Sequence, residues 1–385
     1  MARPNVSVTV IDNSFVVAGS EGGSAHISGM FSLSTPSLVT LFGVTADKDN
    51  DYMTVESLAD WIGLLNGTTY GGATGPGPTG DWKQDWYSAY NYLSYGGVLK
   101  IAETSTAFFD TSIQLDTVFT SQINTTHVSA VLNTIAERDA TIGIVGVTYA
   151  GYASGTAVSG VTAFPSVADA TTDNKAFLVG GEKVMLGLSN QTVGENFVTI
   201  PLASDVAGCF ARTDRDATLW SSPAGTRRGR ILNVVRLVKN PKASEQDALY
   251  DDAEINSVIG IPGEGTYLFG DKTREATSTS SLTRVNVVRL INYIKQTLGR
   301  SARSVLFEVN DAGTRSLFAN AATGFLQQIK EGRGIFDYKV VCDESNNPTS
   351  IIDSNQFVAD VFIKPTKSVN FVKLRITNLN TDAVL

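Results

Sequence analysis

From residue 98 onward, short apolar runs alternate with segments of helical period, and this alternation restricts the fold more than any other feature of the chain. Runs at 98–102, 142–148, 197–200, 230–237 and 257–262 read as strands, and helical spacing recurs at 126–138, 203–212 and 245–252. Such an order specifies an α/β chain, mixed with α+β character, in which helices cover a sheet. A longer helix is expected at 285–298, with apolar residues at 287, 288, 290, 291, 294 and 298 and Gly299 as its stop. A second is expected at 314–330, capped by Gly332, followed by strands at 338–342 and 357–363.

The first hundred residues are less regular. Segment 37–44 reads as a strand and 55–65 as a helix, and the Gly/Pro-rich stretch 66–80 reads as a loop. Between 81 and 95, Trp82, Trp86, Tyr90 and Leu93 fall on one helical face, an arrangement best explained by core packing. Segment 151–174 is small and polar and reads as a surface loop.

The chain has 385 residues, 42% of them hydrophobic and 18% charged, enough for a substantial core and for two or three domains. Its net charge of −8 argues against broad nucleic-acid or membrane-surface binding. That total hides an asymmetry: residues 1–225 carry nine basic and 21 acidic side chains (net −12), and residues 226–385 carry 21 and 17 (net +4). Opposite halves of neighbouring copies should attract. Cys209 and Cys342 are too few for a disulfide framework or a four-thiolate zinc site, which fits a reducing cytoplasm. The first residues lack the continuous apolar stretch of a secretory signal, and no run of 18 apolar residues occurs.

Little in the sequence supports catalysis. GTYLFGDKT at 265–273 imitates a phosphate-binding loop, but Asp271 stands between the glycine and Lys272, where backbone N–H groups should meet phosphate. His26 and His127 have no second ligand nearby in sequence and no nucleophile elbow, so each reads as a packing or surface residue. The acids Glu245, Asp247, Asp251, Asp252 and Glu254 lack the glycine turn of a calcium loop and read as a solvated helix face. No cofactor is expected.

The two ends are unusual. Val6, Val8 and Val10, with Ile11 after them, alternate in a strand that a linker containing Gly19, Gly22 and Gly23 ties to the body. Near the C-terminus Phe371, Val372, Leu374 and Ile376 belong to another alternating strand, after Pro365. Such strands can close the chain's own sheet or add to a neighbour's. Exchange with successive neighbours gives an open, head-to-tail polymer.

Several segments, in order, resemble the tail sheath proteins of contractile-tailed bacteriophages. They are SDVAGCFARTD at 204–214, LWSSPAG at 219–225, Ile255-Asn256, GEGTYLFGDKT at 263–273, RVNVVR at 284–289, FEVN at 307–310, YKVVCD at 338–343 and the stretch 357–373. PAGTRRGR at 223–230 and LFGDKT at 268–273 are similar to the T-even branch in particular. The resemblance covers about 200–378. The start, Arg3-Pro4-Asn5-Val6, departs from the usual Pro-Gly-Val, and the outward domains of large T-even sheaths have no room in 385 residues. The loop regions 104–125 and 150–195 are read as the places of the missing insertions.

The resemblance implies a subunit without catalytic activity that forms stacked six-membered rings around a tail tube. Terminal arms of neighbours would complete a sheet near that tube and keep the mesh connected as metastable packing relaxes on contraction. It implies an arm and linker at 1–24, an α/β middle or outer domain at 25–275 with a shortened insertion region at 104–195, a tube-proximal C-terminal domain at 276–364 and an arm at 365–385. Gly19, Gly22, Gly23 and Pro365 would be the arm hinges. Lys330 and Arg333 would face the tube, and Arg227, Arg228 and Arg230 would meet the acidic half of a neighbour. Partners would be other copies, the tube protein, the baseplate and the tail terminator, without direct nucleic-acid binding or membrane insertion. The location would be the virion tail, after assembly in the host cytoplasm. The alternatives are a sheath from a phage-derived particle or secretion system and, in another class, a nucleotide-binding enzyme.

Overall fold

The computed structural model describes residues 25–27, 52–65, 83–102, 108–109, 115–147, 174–187, 197–251, 253–275 and 280–368. The terminal strands containing Val6, Val8, Val10, Ile11, Phe371, Val372, Leu374 and Ile376 lie outside these residues, as do Gly19, Gly22 and Gly23 and the strand expected at 37–44.

The centre is a six-stranded sheet in the order β1-β4-β5-β6-β10-β11. Its strands are β1 (Ala25–Ile27), β4 (Thr117–Phe119), β5 (Ile142–Val147), β6 (Ala176–Gly180), β10 (Ile255–Ile261) and β11 (Gly265–Phe269). The first five run parallel and β11 returns antiparallel as a hairpin with β10. Both β5 (IGIVGV) and β6 (AFLVG) are buried at every position, as continuous apolar runs become when a parallel sheet is covered on both faces.

Three further pairings surround it. β2 (Tyr52–Val55) pairs with β3 (Leu99–Ala102), β7 (Glu182–Leu186) lies between β8 (Phe197–Pro201) and β9 (Arg236–Leu237), and β12 (Ile335–Val341) pairs with β13 (Asp360–Pro365), all antiparallel. The helices are α1 (Leu58–Leu65), α2 (Lys83–Ser94), α3 (Thr125–Glu137), α4 (Ala203–Asp216), α5 (Ala243–Asp251), α6 (Val285–Arg303), α7 (Ala312–Glu331) and α8 (Thr349–Asp353).

One apolar cluster joins most of these elements, from Trp61, Trp86 and Tyr92 through Phe177, Val206 and Phe210 to Val287, Ile294, Phe318 and Ile363. Trp86 and Leu93 of the expected aromatic stripe are buried there, and Tyr90 packs against it. Gly208 allows α4 to lie against Tyr95: a Cβ added there would stand 2.3 Å from the Tyr95 ring.

The structure corrects several expectations. Segment 55–65 begins as strand and turns helical only after Ser57, whose hydroxyl accepts the Asp60 amide at 3.2 Å and caps α1. Regions 104–125 and 150–195 are not wholly loop, since β4, β6 and β7 occupy parts of them. β4 is only three residues long and β6 has no polar alternation, so periodicity missed both. The strand expected at 230–237 is divided between two sheets. Ile231 donates to Thr266 beside β11, Asn233 takes a φ of +51°, and Val235 then donates to Val184 beside β7.

Gly299 does not stop α6. It is an interior helical position with open space around it, and the helix runs on to Arg303. Tight turns follow, in which Leu306 donates to Arg303 and Glu308 to Val305, and Phe307 takes a φ of +69°. A left-handed backbone costs a residue with a Cβ roughly 1–2 kcal/mol, so glycine or asparagine usually fills such a position.

Candidate interface between subunits and the root of the C-terminal arm

The β12–β13 hairpin follows directly from α7. Three residues make the turn tight: Gly332 and Gly334 stand where an added Cβ would come within 2.7 Å of Trp220 and 2.6 Å of Ile329 respectively, and Arg333 between them has a φ of +61°. Trp220 also donates its indole N–H to the Gly332 carbonyl at 2.9 Å. On one hairpin face Tyr338, Val340, Val361 and Ile363 pack toward the core. The opposite face carries Asp337 across from Lys364 and Lys339 across from Phe362. Among the described residues, β12 and β13 have no strand partner but each other. Each therefore presents one outer edge to which an extended chain can add.

The expected site residues have different settings. Lys330 is engaged by Asp337 at 2.9 Å and lies over the Tyr338 ring, while Arg333 is exposed in the tight turn. Arg227 and Arg230 are exposed, whereas Arg228 is half-buried and donates Nε to the Ser222 carbonyl at 2.7 Å. Arg228 thus braces its own loop. Pro365 is paired with Ile335 inside the hairpin, a restrained setting for the residue expected to be a hinge. The restrained segment continues beyond it. Thr366 donates to the Gly334 carbonyl at 3.0 Å and accepts from Asn286 Nδ2 at 3.1 Å, and Ser368 Oγ donates to Asp271 Oδ2.

Asp271 is the hub of this root. Its carboxylate also receives Arg284 at 3.0 Å, Ser222 at 3.2 Å and the Tyr250 hydroxyl at 3.4 Å. Its neighbours in the glycine loop are equally committed. The Lys272 amide donates to Asn256 Oδ1 at 2.8 Å, Lys272 Nζ to the Tyr250 carbonyl at 2.9 Å, and the Thr273 amide to Thr283 at 3.1 Å. The loop that imitates a phosphate cradle is a strut: its amides and its cation are spent on holding β11, α5 and the start of α6 together.

Two buried polar groups escaped sequence reasoning. Lys183 is fully buried and gives its three donors to Asp205 at 2.7 Å, Asn91 at 3.1 Å and the Leu232 carbonyl at 2.7 Å. Tyr95 donates to the same Asp205 oxygen at 3.0 Å. Burial pushes the Lys183 pKa down and the Asp205 pKa up, against their mutual attraction. The second group joins Asp85, Ser121 and His127. Ser121 donates to Asp85 and lies 3.2 Å from His127 Nδ1, and Gln122 donates to Asp85 at 2.8 Å. Burial pushes Asp85 up to about 7 and His127 down to about 4.

These are the residue types of a hydrolase triad in the wrong order. Serine lies between acid and imidazole with its proton directed at the acid, and all three side chains are buried. The arrangement ties α2 to the start of α3. A separate cavity of about 300 Å³ is lined by Ala312, Arg315, Ser316, Cys342, Asp343 and Glu344. Burial raises the Cys342 thiol to about 11, which leaves it a poor nucleophile. Among the described residues no group of three potential ligands could hold a metal, and no helix is long and apolar enough to cross a membrane.

Comparison with known proteins agrees with this geometry. Residues 277–378 match the family described as phage tail sheath C-terminal domain. The chain is 46% identical over 185 residues to the tail sheath protein of Enterobacteria phage T4, a match covering 48% of this chain and 28% of the relative. It is 45% identical over 184 residues to that of Vibrio phage KVP40, covering 48% and 27%, so the match spans under a third of these relatives' length. Among solved structures, the sheath complex of an extracellular contractile injection system (PVC) in its contracted state superposes with a TM-score of 0.73 at 15% identity, covering 98% of both chains. The contracted helical sheath of the anti-feeding prophage gives 0.68 at 14% identity, covering 98% of this chain and 99% of the other. Residues 277–378 thus match the phage tail sheath C-terminal domain family, in a chain whose fold superposes on solved contractile sheaths.

Proposed function

We propose that this protein is the structural subunit of a contractile bacteriophage tail sheath, polymerising as stacked hexameric rings around the tail tube and shortening to drive the tube through the host envelope. The observation that carries the reading is the β12–β13 hairpin, two strands with two unoccupied outer edges among the described residues, in a chain whose two ends both read as alternating strands. One arm from each of two neighbours would fill both edges, and main-chain hydrogen bonds of that kind survive rigid rotation of the bodies they join. Other copies, the tube, the baseplate and the tail terminator are the proposed partners, in the virion tail after assembly in the host cytoplasm. Lys330 and Arg333 are proposed to face the tube, and Arg227 and Arg230 to meet a neighbour's acidic half.

Deletion of residues 1–18 tests this. The truncated chain should remain a folded, soluble monomer and fail to form tubes in negative-stain micrographs that show tubes from the full chain. Long tubes from the truncated protein would refute arm exchange. A sheath of a phage-derived injection device is the second reading, favoured by superposition over 98% of the chain on such sheaths. The sequence similarity to phages T4 and KVP40 favours the tail. A nucleotide-hydrolysing role rests only on the glycine loop. It predicts that Lys272→Ala abolishes a measurable hydrolysis rate while assembly persists, whereas a strut predicts no hydrolysis in either protein.

A further inference from the structure

Three buried side chains from different elements meet at Lys183, and their contact is that of reactants as well as of an ion pair. Lys183 on β7, Asn91 on α2 and Asp205 on α4 are each fully excluded from solvent. Lys183 Nζ lies 2.7 Å from Asp205 Oδ1 and 3.1 Å from Asn91 Oδ1, so an amine, a proton carrier and a carboxamide touch in a site closed to bulk water. The carboxamide is fixed in orientation. Its Nδ2 donates to the Tyr87 carbonyl at 2.9 Å and to Met185 Sδ at 3.2 Å, and Asn233 Nδ2 stands 3.5 Å from Oδ1, the oxygen that gains charge when the carbon is attacked. A purely structural ion pair would satisfy both carboxylate oxygens, because a buried lone pair left empty is costly. Asp205 Oδ2 is buried and has no partner among the described residues, which leaves it open to take up a proton.

We propose that Lys183 and Asn91 join spontaneously through an isopeptide bond, with Asp205 carrying the protons. Asp205 takes one proton from the Lys183 ammonium and leaves a neutral amine. Rotation about Cε–Nζ turns its lone pair toward Asn91 Cγ, one bond behind Oδ1, and that pair forms the new N–C bond as the carbonyl π pair moves onto Oδ1. Asp205 passes its proton to Nδ2 and takes a second from Nζ. The π bond then re-forms, the Cγ–Nδ2 bond breaks with its electron pair going to nitrogen, and ammonia leaves. An ammonium and a carboxylate become a neutral amide and a neutral acid, so two charges disappear from the interior. Burial already presses the pair in that direction, lowering the Lys183 pKa and raising that of Asp205. The ion pair is the state of the newly folded chain, and the bond clamps α2 to β7 across 92 residues. Nothing in this step depends on the reading of the protein as a sheath.

The test is the mass of the purified full-length protein, which should lie one ammonia below that of its sequence. Trypsin should then release residues 84–100 joined to residues 176–212, uncut at the acylated Lys183. Lys183→Arg should keep its full mass. Asp205→Asn, with its folding checked by circular dichroism, should form the joined peptide at least ~100-fold more slowly on incubation, as for loss of a proton carrier. A parent of full mass would overturn the inference, as would ammonia lost without the joined peptide, the mark of a succinimide at Asn91. Loss of one water instead would put the bond on Asp205 and overturn it equally. Joining at the parental rate in folded Asp205→Asn would overturn the role of Asp205. The parent's mass and its joined peptide decide the bond by themselves, whether or not a variant folds.

Discussion

At the scale of the residue, the least replaceable side chains are polar ones. Lys183→Met would leave Asp205 buried beside Tyr95 without its cation, and should cost about 3–5 kcal/mol in chemical denaturation. Adding Asp205→Leu to that variant should restore much of the loss, because the pair's own net contribution is small once desolvation is subtracted. Asp85 and His127 act on pH dependence with opposite signs. Asp85 ionises near 7 in the fold against an ordinary 3.8, so its contribution to stability falls as pH rises between those values. His127 ionises near 4 in the fold against 6.5, so its contribution is complete above 6.5 and is lost as pH falls toward 4. Between about 4 and 6.5 the two slopes cancel, each being about 1.4 kcal/mol per pH unit. Asp85→Asn should therefore show stability that climbs with pH across that window, a trend measurable by urea melts at successive pH values.

At the scale of the element, the segment after β13 is held by contacts separate from those that hold the hairpin. Ser368→Ala removes one donor from Asp271 and leaves Arg284, Ser222 and Tyr250 in place. It should cost the monomer no more than about 1 kcal/mol, while amide exchange at Thr366 speeds up and the hairpin amides of β12 and β13 do not change. Elements with a strong period were legible in the sequence. The helices at 83–94, 125–137, 203–216 and 312–331, and the buried strand β5, stand within a few residues of their expected places. β6 was obscured because a covered strand has no polar alternation to read, β7 because its EKVML buries Lys183 and exposes Leu186 against the usual pattern, and β9 because a left-handed Asn233 divides one apolar run between two sheets. The glycine loop was legible as a failed phosphate cradle. Its role as a strut was not, because Asn256, Arg284 and Ser368, which complete it, are 97 residues or fewer from Asp271 along the chain yet share no local pattern with it.

At the scale of the whole molecule, the charge asymmetry along the chain becomes a statement about assembly. Reversing Arg227 and Arg230 to glutamate should leave the melting temperature of the monomer nearly unchanged, since both are exposed. It should slow polymer growth, followed by light scattering, and the defect should shrink as added salt screens the repulsion. The resemblance visible in segments between 204 and 373 agrees with the tail sheath match of residues 277–378, while the buried Lys183 and Asp85 groups left no trace in spacing because their members are brought together by the fold. The tethering of Thr366 and Ser368 has a mechanical corollary. A pull on the C-terminal peptide meets Gly334, Asn286 and Asp271 before it reaches the rungs between β12 and β13, so the load passes into the body of the protein and the hairpin is spared from being peeled open one rung at a time.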